Sequence, residues 1–357
     1  MRSGTAGSGT AGSGTAESLR AARIGAPAGA TVRENRSVER NWERARPFAE
    51  LSIEDLEGRV RAFFPGARVV LAERQTRGLR NSNYRLTVAG APSPLAFRLY
   101  VADPLACSRE AAVMAEVRNR APVPRMLATD AAADPPFALA DWIEGEPLDD
   151  VLRACDSATA LELATACGAV LAAIHQTRFP STGFLGARGR ELRVAAPMPA
   201  WAPTLIASLD GPAAEHLGPE LSARVRHVAV SSAPEVEPIW REAVLAHGDF
   251  KPWNLLVRQD PGAWRICGVL DWEFACAASP LLDFAIFLRD ERVRPAGFGV
   301  AFAAAYRAAG GSLPKGWRRL VRLIDLLNLL QMLEWSGESA AADLRRLVSE
   351  SMDDVAR

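Results

Sequence analysis

The residues best suited to chemistry lie in the segment 247–257 and shortly after it. Asp249 and Asn254 stand in a loop-like stretch between apolar runs, and Asp271 ends the next apolar run. This spacing predicts that three oxygen-bearing side chains meet at one point. A hard cation such as Mg²⁺ binds few protein oxygens and completes its shell with water and phosphate oxygens. We therefore expect Asn254 and Asp271 to hold Mg²⁺, while Asp249 stays free to accept a proton.

Lys251 follows Asp249 closely, and lysine is rare in this chain. The sequence has 40 arginines and two lysines, Lys251 and Lys315. A compact ammonium can stand beside a transferring phosphoryl group where the wide fork of a guanidinium does not fit. Lys251 is therefore a second candidate catalytic residue. The alternative is a chance placement of one of two lysines.

The segment His247–Asn254, followed by Asp271–Glu273, resembles the motifs of the aminoglycoside phosphotransferase and choline kinase-like family, which shares the protein-kinase-like fold. In such kinases the aspartate accepts the proton of the substrate hydroxyl, and the asparagine and the later aspartate hold Mg²⁺. The resemblance implies transfer of the γ-phosphate of ATP or GTP to a hydroxyl of a small acceptor. It also implies that His247 braces the loop, as does Asp283.

Two upstream segments are similar to the nucleotide-binding elements of this family. Arg98 stands where the fold usually has a phosphate-contacting lysine, and Glu110 on the next helix is its expected ion-pair partner. The alternative for Glu110 is a solvated helix face. Asn81 and Ser82 lie in the turn 77–83, which resembles the nucleotide-covering loop, whose backbone amides can approach phosphates. The alternative is an ordinary hairpin turn. No lysine precedes the catalytic segment, so Arg98 takes over the phosphate contact or that contact is lost.

The elements that must position these residues change character along the chain. Residues 1–46 are rich in small residues without a hydrophobic period, which predicts a disordered extension. Residues 47–142 contain a capped helix, strand-like runs and one inserted helix, which predicts a nucleotide-binding lobe with a small antiparallel sheet. Residues 143–357 are mostly helical and form the predicted catalytic and acceptor-binding lobe. With the resemblance, this pattern predicts an α+β, bilobal protein-kinase-like fold.

Among the predicted helices, one spans 157–176, a second spans 220–230 and a third spans 315–335. The apolar stretch 319–336 carries a regular polar stripe, which favours a core helix over a membrane span. The segment 138–148 resembles the family's hinge, whose backbone pairs with adenine.

The composition excludes several classes of protein. The chain has 42 basic and 42 acidic residues and is 49% hydrophobic, which excludes a collagen-like, wholly disordered or nucleic-acid-coating protein. Five cysteines without a Cys-x-x-Cys pair, and an N-terminus without an apolar core, predict reduced thiols in a cytoplasmic protein. We expect neither a nucleic acid nor a membrane as partner, and the sequence carries no signal for an oligomeric state.

The acceptor and two competing functions are left open. Acidic side chains near the C-terminus either attract a cationic acceptor such as an aminoglycoside or form exposed helix faces balanced by arginines. These residues are Glu334, Glu338, Asp343, Glu350, Asp353 and Asp354. Because Arg98 replaces a lysine, the alternative function is a degenerate, non-catalytic nucleotide-binding or interaction module. A metal-dependent hydrolase ranks lower because ligands for a second metal are not evident.

Overall fold

The structure is a computed structural model that describes residues 47–75, 80–189, 191–334 and 336–356. The predicted extension 1–46 and residues 77–79 of the predicted nucleotide-covering turn lie outside the described residues.

The first helix begins at a cap that the sequence predicts. Helix α1 (Ile53–Arg61) starts after Ser52, whose hydroxyl accepts from Asp55 N at 3.0 Å. The Asp55 carboxylate accepts in return from Ser52 N, which completes a capping box.

A five-stranded antiparallel sheet follows α1. Its strands are β1 (Val69–Gln75), β2 (Ser82–Val88), β3 (Leu95–Leu99), β4 (Met126–Asp130) and β5 (Phe137–Asp141), in the spatial order β1-β2-β3-β5-β4. Helix α2 (Ala106–Val117) is inserted between β3 and β4. Alternate residues of β2 are buried, and Leu86 packs with Phe97, Leu139 and with Leu56 of α1 in one core. The predicted sheet with one inserted helix is therefore found, while the lobe boundary after residue 142 stays a prediction.

The chain after β5 is mainly helical. It continues with β6 (Glu146–Pro147), α3 (Leu148–Ala154), α4 (Ser157–Ile174), β7 (Gly183–Arg188), β8 (Glu191–Pro197), α5 (Trp201–Ser208), α6 (Pro212–Leu217) and α7 (Pro219–Trp240). It ends with β9 (Val244–Ala246), β10 (Leu255–Asp260), β11 (Ala263–Val269), β12 (Cys276–Ala278), α8 (Leu281–Phe287), α9 (Phe298–Ala308), α10 (Trp317–Leu333) and α11 (Glu338–Ala356). The predicted end of the second helix near residue 230 is wrong, because α7 continues through Pro234 and Pro238.

Helices α4 and α10 lie within the large core of this part. Within the described ranges α4 alone is long and apolar enough to cross a membrane by length and composition. Its residues Leu163 and Leu171 are fully buried in the core, and a Cβ on Gly168 would stand 2.2 Å from Phe302 O of α9. In α10, Asp325 is buried and pairs with Arg289 at 2.7 Å. Both helices therefore pack as core helices.

The segment 247–254, which carries the predicted catalytic residues, connects two small sheets. Strands β9 and β12 pair in the sheet β8-β7-β12-β9, whereas β10 pairs with β11 and β6 in another. The segment 247–254 leaves β9 and enters β10 through a short 3-10 turn, and Asp271 follows β11. Leu270 N donates to Asn254 O at 2.9 Å. This bond holds Asp271 beside Asn254, as the spacing of the two residues predicts.

Candidate active site

Asp249 is oriented by two donors from its own loop. Asn254 Nδ2 donates to Asp249 Oδ2 at 2.8 Å and to Asp249 O at 3.0 Å. Lys251 Nζ lies 3.1 Å from the same carboxylate oxygen. The Asp249 carboxylate therefore contacts an amide and an ammonium, and these two contacts fix the orientation of its side chain. The structure thus brings Asp249, Lys251 and Asn254 together.

Buried Asp283 holds the backbone of this loop. Its side chain accepts from His247 N at 2.8 Å and from Gly248 N at 2.9 Å. His247 Nε2 lies 3.0 Å from Leu270 O, and Nδ1 lies 3.2 Å from Asp249 N. These partners make Nε2 the donor and Nδ1 the acceptor. Burial lowers the pKa of His247, which favours the neutral ring. Through its two hydrogen bonds, His247 joins the loop to Leu270, the residue before Asp271.

Gly248 occupies a position that only glycine fits. Its φ is 75°, in the left-handed region. A Cβ at this position would stand 2.2 Å from Phe274 O. The close approach of the two backbones sets the path of the chain immediately before Asp249.

Arg98 on β3 meets three carboxylates. Its Nη2 lies 2.5 Å from Asp271 Oδ1 and 3.9 Å from Glu273 Oε1. Its Nε lies 3.3 Å from Glu110 Oε2 but makes no hydrogen bond, so that contact is ionic. Burial opposes the charge of the guanidinium, but Asp271 and Glu110 outweigh it and raise the pKa of Arg98. Burial likewise acts to raise the pKa of Asp271, and Arg98 outweighs that effect and lowers it, so Asp271 is an anion.

Glu110 is buried in the same cluster. Its side chain is 1% exposed, so the alternative of a solvated helix face is wrong. It accepts from Tyr100 Oη at 2.5 Å and from Trp272 N at 2.9 Å. The predicted juxtaposition with Arg98 is present, and Glu110 also anchors the backbone next to Asp271.

Asn81 and Ser82 use their side chains inside the protein. Asn81 Nδ2 donates to Glu273 Oε2 at 2.9 Å, and Asn81 Oδ1 accepts from Val101 N at 3.2 Å. Ser82 is fully buried, and its hydroxyl accepts from Ala49 N at 2.8 Å. Both side chains are therefore engaged inside the protein. The predicted approach of the backbone amides of this turn to a phosphate stays a prediction.

Sequence reasoning missed the part that Glu273 plays. Its Oε1 lies 3.6 Å from Arg80 Nε, and its backbone carbonyl accepts from Arg109 Nη2 at 2.7 Å. Burial and the neighbouring Asp271 charge raise the pKa of Glu273 to about 7. Glu273 links the turn before β2, strand β3 and helix α2. The signal that could have found it is an acidic residue so soon after a predicted metal ligand.

The donor set around Asn254 and Asp271 fits Mg²⁺. Because Asn254 Nδ2 donates to Asp249, its Oδ1 is the atom left to face a cation. Asp271 is ionised and offers Oδ2 in addition to the oxygen that contacts Arg98. One carboxylate and one amide oxygen are a set that Mg²⁺ accepts when phosphate and water supply the other ligands.

The acidic residues near the C-terminus are largely balanced by arginines. Asp343 lies near Arg346, Glu350 near Arg292 and Arg346, Asp353 near Arg224, and Asp354 near Arg292 and Arg322. These contacts favour the interpretation as charged helix faces. They weaken the electrostatic argument for a cationic acceptor.

Comparisons with known proteins agree with this arrangement. A model of the phosphotransferase enzyme family, APH, matches residues 72–323. The sequence has no match among curated proteins. The structure is similar to the GDP complex of an aminoglycoside 2′-phosphotransferase mutant, with a TM-score of 0.64 and 16% identity, over 85% of this chain and 98% of that chain.

Two further solved structures have the same fold. A thermostable mutant of aminoglycoside phosphotransferase APH(4)-Ia, in complex with ADP and hygromycin B, has a TM-score of 0.60 and 19% identity over 85% of this chain and 99% of that chain. Macrolide 2′-phosphotransferase MphH from Brachybacterium faecium has a TM-score of 0.57 and 18% identity over 82% of this chain and 96% of that chain. The predicted α+β, bilobal kinase-like fold is confirmed. Because the family match spans most of the chain, this protein belongs to the phosphotransferase enzyme family.

Proposed function

We propose that this protein is a small-molecule kinase that transfers the γ-phosphate of ATP or GTP to a hydroxyl group of a small acceptor. The observation that carries the proposal is the Asp249 carboxylate, oriented by Asn254 and Lys251. The bond from Leu270 N to Asn254 O places the anionic Asp271 beside the same loop. The family match supports phosphotransferase chemistry, and complexes of similar proteins with ADP and GDP support a purine nucleotide as donor.

Each side chain then has a definable part in the transfer. Asp249 takes the proton of the acceptor hydroxyl as that oxygen bonds to the γ-phosphorus and the bond to the β-phosphate oxygen breaks. Lys251 offsets the negative charge that gathers beside it. Asn254 and Asp271 would hold Mg²⁺, which would offset the negative charge of the phosphates. Arg98 can turn its fork of N–H groups from Asp271 to a phosphate. Catalysis by these residues consists mainly of positioning and electrostatics.

The acceptor class is proposed on narrower grounds. A similar structure described above holds hygromycin B, which supports a small acceptor with hydroxyl groups. The ion pairs of Asp343, Glu350, Asp353 and Asp354 with arginines weaken these carboxylates as a reason for positive charge on the acceptor. An acceptor screen should therefore test aminoglycosides, neutral polyols and a macrolide side by side.

A degenerate nucleotide-binding module is the second candidate. The observation that favours it is the 2.5 Å contact between Arg98 and Asp271, which engages one oxygen of the proposed metal ligand. Against it, Asp249 is held in a definite orientation although a binding module has no need of a base. Both candidates predict nucleotide binding, so a measurement of turnover is what distinguishes them.

Asp249→Asn tests the assignment, with Asp260→Asn as a control at an exposed pair with Arg258. Calorimetry with ADP and GDP, with and without Mg²⁺, should show Mg²⁺-dependent binding to wild type and both variants. Turnover should fall by about 10²–10⁴-fold in Asp249→Asn alone, the range for loss of a general base. Full turnover in that variant would refute the role of Asp249. Binding by wild type without turnover on the whole acceptor panel would favour the degenerate module.

A further inference from the structure

A polar cavity lies in the helical part of the protein. It has a volume of about 140 Å³ and is bounded by the C-terminal end of α4, the start of β9 and the end of α9. That volume is about ten times what one buried water needs. The residues that line it include none of those assigned above to catalysis, metal or nucleotide. The cavity is therefore separate from the proposed active site.

Two opposite charges line the open side of this cavity, Arg178 and Glu242, and both residues are exposed to solvent. Their backbones are fixed to each other, since Phe179 N donates to Ala243 O at 2.9 Å and Leu245 N donates to Thr177 O at 2.8 Å. Within the part of the chain that the structure describes, neither side chain forms an ion pair or a hydrogen bond. Partial burial raises the pKa of Glu242, and the charge of Arg178 acts to lower it.

The floor of the cavity is fixed by its own hydrogen bonds. Tyr306 Oη lies 2.9 Å from His175 Nδ1, and His175 Nε2 lies 3.0 Å from Asp283 Oδ2. His175 and Asp283 are buried, and these hydrogen bonds satisfy their polar groups inside the protein. Specific recognition of charge in the cavity therefore falls to Arg178 and Glu242. A fixed floor lowers the cost of ordering the site when a ligand binds.

We propose that this cavity is a second ligand site for a small zwitterion, whose carboxylate pairs with Arg178 and whose ammonium pairs with Glu242. A carboxylate matches the planar fork of a guanidinium, and an ammonium supplies the donors that a carboxylate accepts. A ligand with both groups can contact both side chains of the cavity lining at once. The proposal is independent of the kinase function, because it shares no side chain with the proposed reaction.

The test is calorimetric titration of the full chain with glycine, β-alanine and 4-aminobutyrate, which differ in the separation of their charges. Propionate and propylamine serve as probes with one charge each. We expect one zwitterion to bind at least tenfold more tightly than both single-charge probes. Arg178→Gln and Glu242→Gln should each weaken that binding at least tenfold. Arg241→Gln, an exposed arginine outside the cavity lining, should leave it unchanged.

Three results would overturn the proposal. The first is that no zwitterion binds better than propionate and propylamine. The second is binding that survives both cavity variants while their thermal unfolding matches wild type. The third is displacement of the zwitterion by ADP with Mg²⁺, which would place it in the proposed active site. Loss of turnover in Asp249→Asn has no bearing on these titrations, so failure of the kinase proposal and failure of this one are distinguishable.

Discussion

Arg98 is the residue whose replacement should disturb the site most widely. Its guanidinium lies 2.5 Å from Asp271 and 3.3 Å from Glu110, so it joins strand β3 to the residue after β11 and to helix α2. Arg98→Ala leaves both carboxylates, and the nearby Glu273, without their shared cation. Arg98→Lys keeps the charge but offers a single nitrogen where the guanidinium uses two.

The size of the effect follows from burial. The side chains of Arg98, Glu110 and Asp271 are 16%, 1% and 24% exposed. Removing one partner of a buried ion pair costs about 3–5 kcal/mol, because the other charge stays buried without compensation. Since Asp271 keeps some access to water, we expect Arg98→Ala to lower the free energy of unfolding by about 3 kcal/mol. Arg98→Lys loses part of one charged contact, so we expect a loss of about 1–2 kcal/mol.

Urea unfolding of the nucleotide-free protein measures both losses. The control is Arg125→Ala, which removes a 2.9 Å contact with Asp141 from an arginine side chain that is 74% exposed. An exposed pair of this kind contributes about 0–1 kcal/mol. If Arg98→Ala unfolds at the same urea concentration as Arg125→Ala, the idea that Arg98 carries the charge balance of the cluster is refuted.

Three further substitutions test the scaffold of the site. Gly248→Ala should lower turnover by about 10²-fold or more, measured with saturating nucleotide, because its Cβ meets Phe274 O and displaces the loop; unchanged turnover would contradict this. Asp283→Asn should lower the free energy of unfolding by about 1.5–3 kcal/mol in urea, because an amide has one acceptor oxygen for the two N–H groups of His247 and Gly248. Ser52→Ala should cost about 1 kcal/mol in the same assay and leave turnover at the wild-type value, since only a helix cap is lost.

Local signals made much of the fold predictable. The capping pair Ser52 and Asp55 marked the start of α1 to the residue, because both bonds form within one turn. Helices predicted at 157–176 and 315–335 are found as Ser157–Ile174 and Trp317–Leu333. Their hydrophobic patterns are long enough to override single polar residues. Asn254 and Asp249, five residues apart, are in contact at 2.8 Å, whereas the meeting of their oxygens with Asp271 at one metal ion stays a prediction.

Contacts between distant segments account for what the sequence did not show. Helix α7 was predicted to stop near residue 230, but Trp240 Nε1 donates to Pro199 O at 2.9 Å and Glu237 accepts from Ala202 N at 3.1 Å. Such tertiary contacts stabilise the last turns despite the two prolines. The role of Glu273 depends on partners far away in the chain, among them Asn81 and Arg109. The position of Glu273 soon after Asp271 points to the site, but no local sequence pattern identifies these distant partners.

The backbone at Asp271 shows how these distant contacts act together. Among the described residues it is the one position other than glycine with a left-handed backbone, at φ 67°, a conformation that costs about 1–2 kcal/mol. The residues on both sides are clamped, because Leu270 N donates to Asn254 O and Trp272 N donates to Glu110 Oε1. Glu110 therefore holds the backbone beside the proposed metal ligand with one oxygen and faces the Arg98 guanidinium with the other. A shift of helix α2 would move both contacts of Glu110 at once. This helix therefore couples the position of Arg98 on β3 to the position of Asp271, the proposed metal ligand.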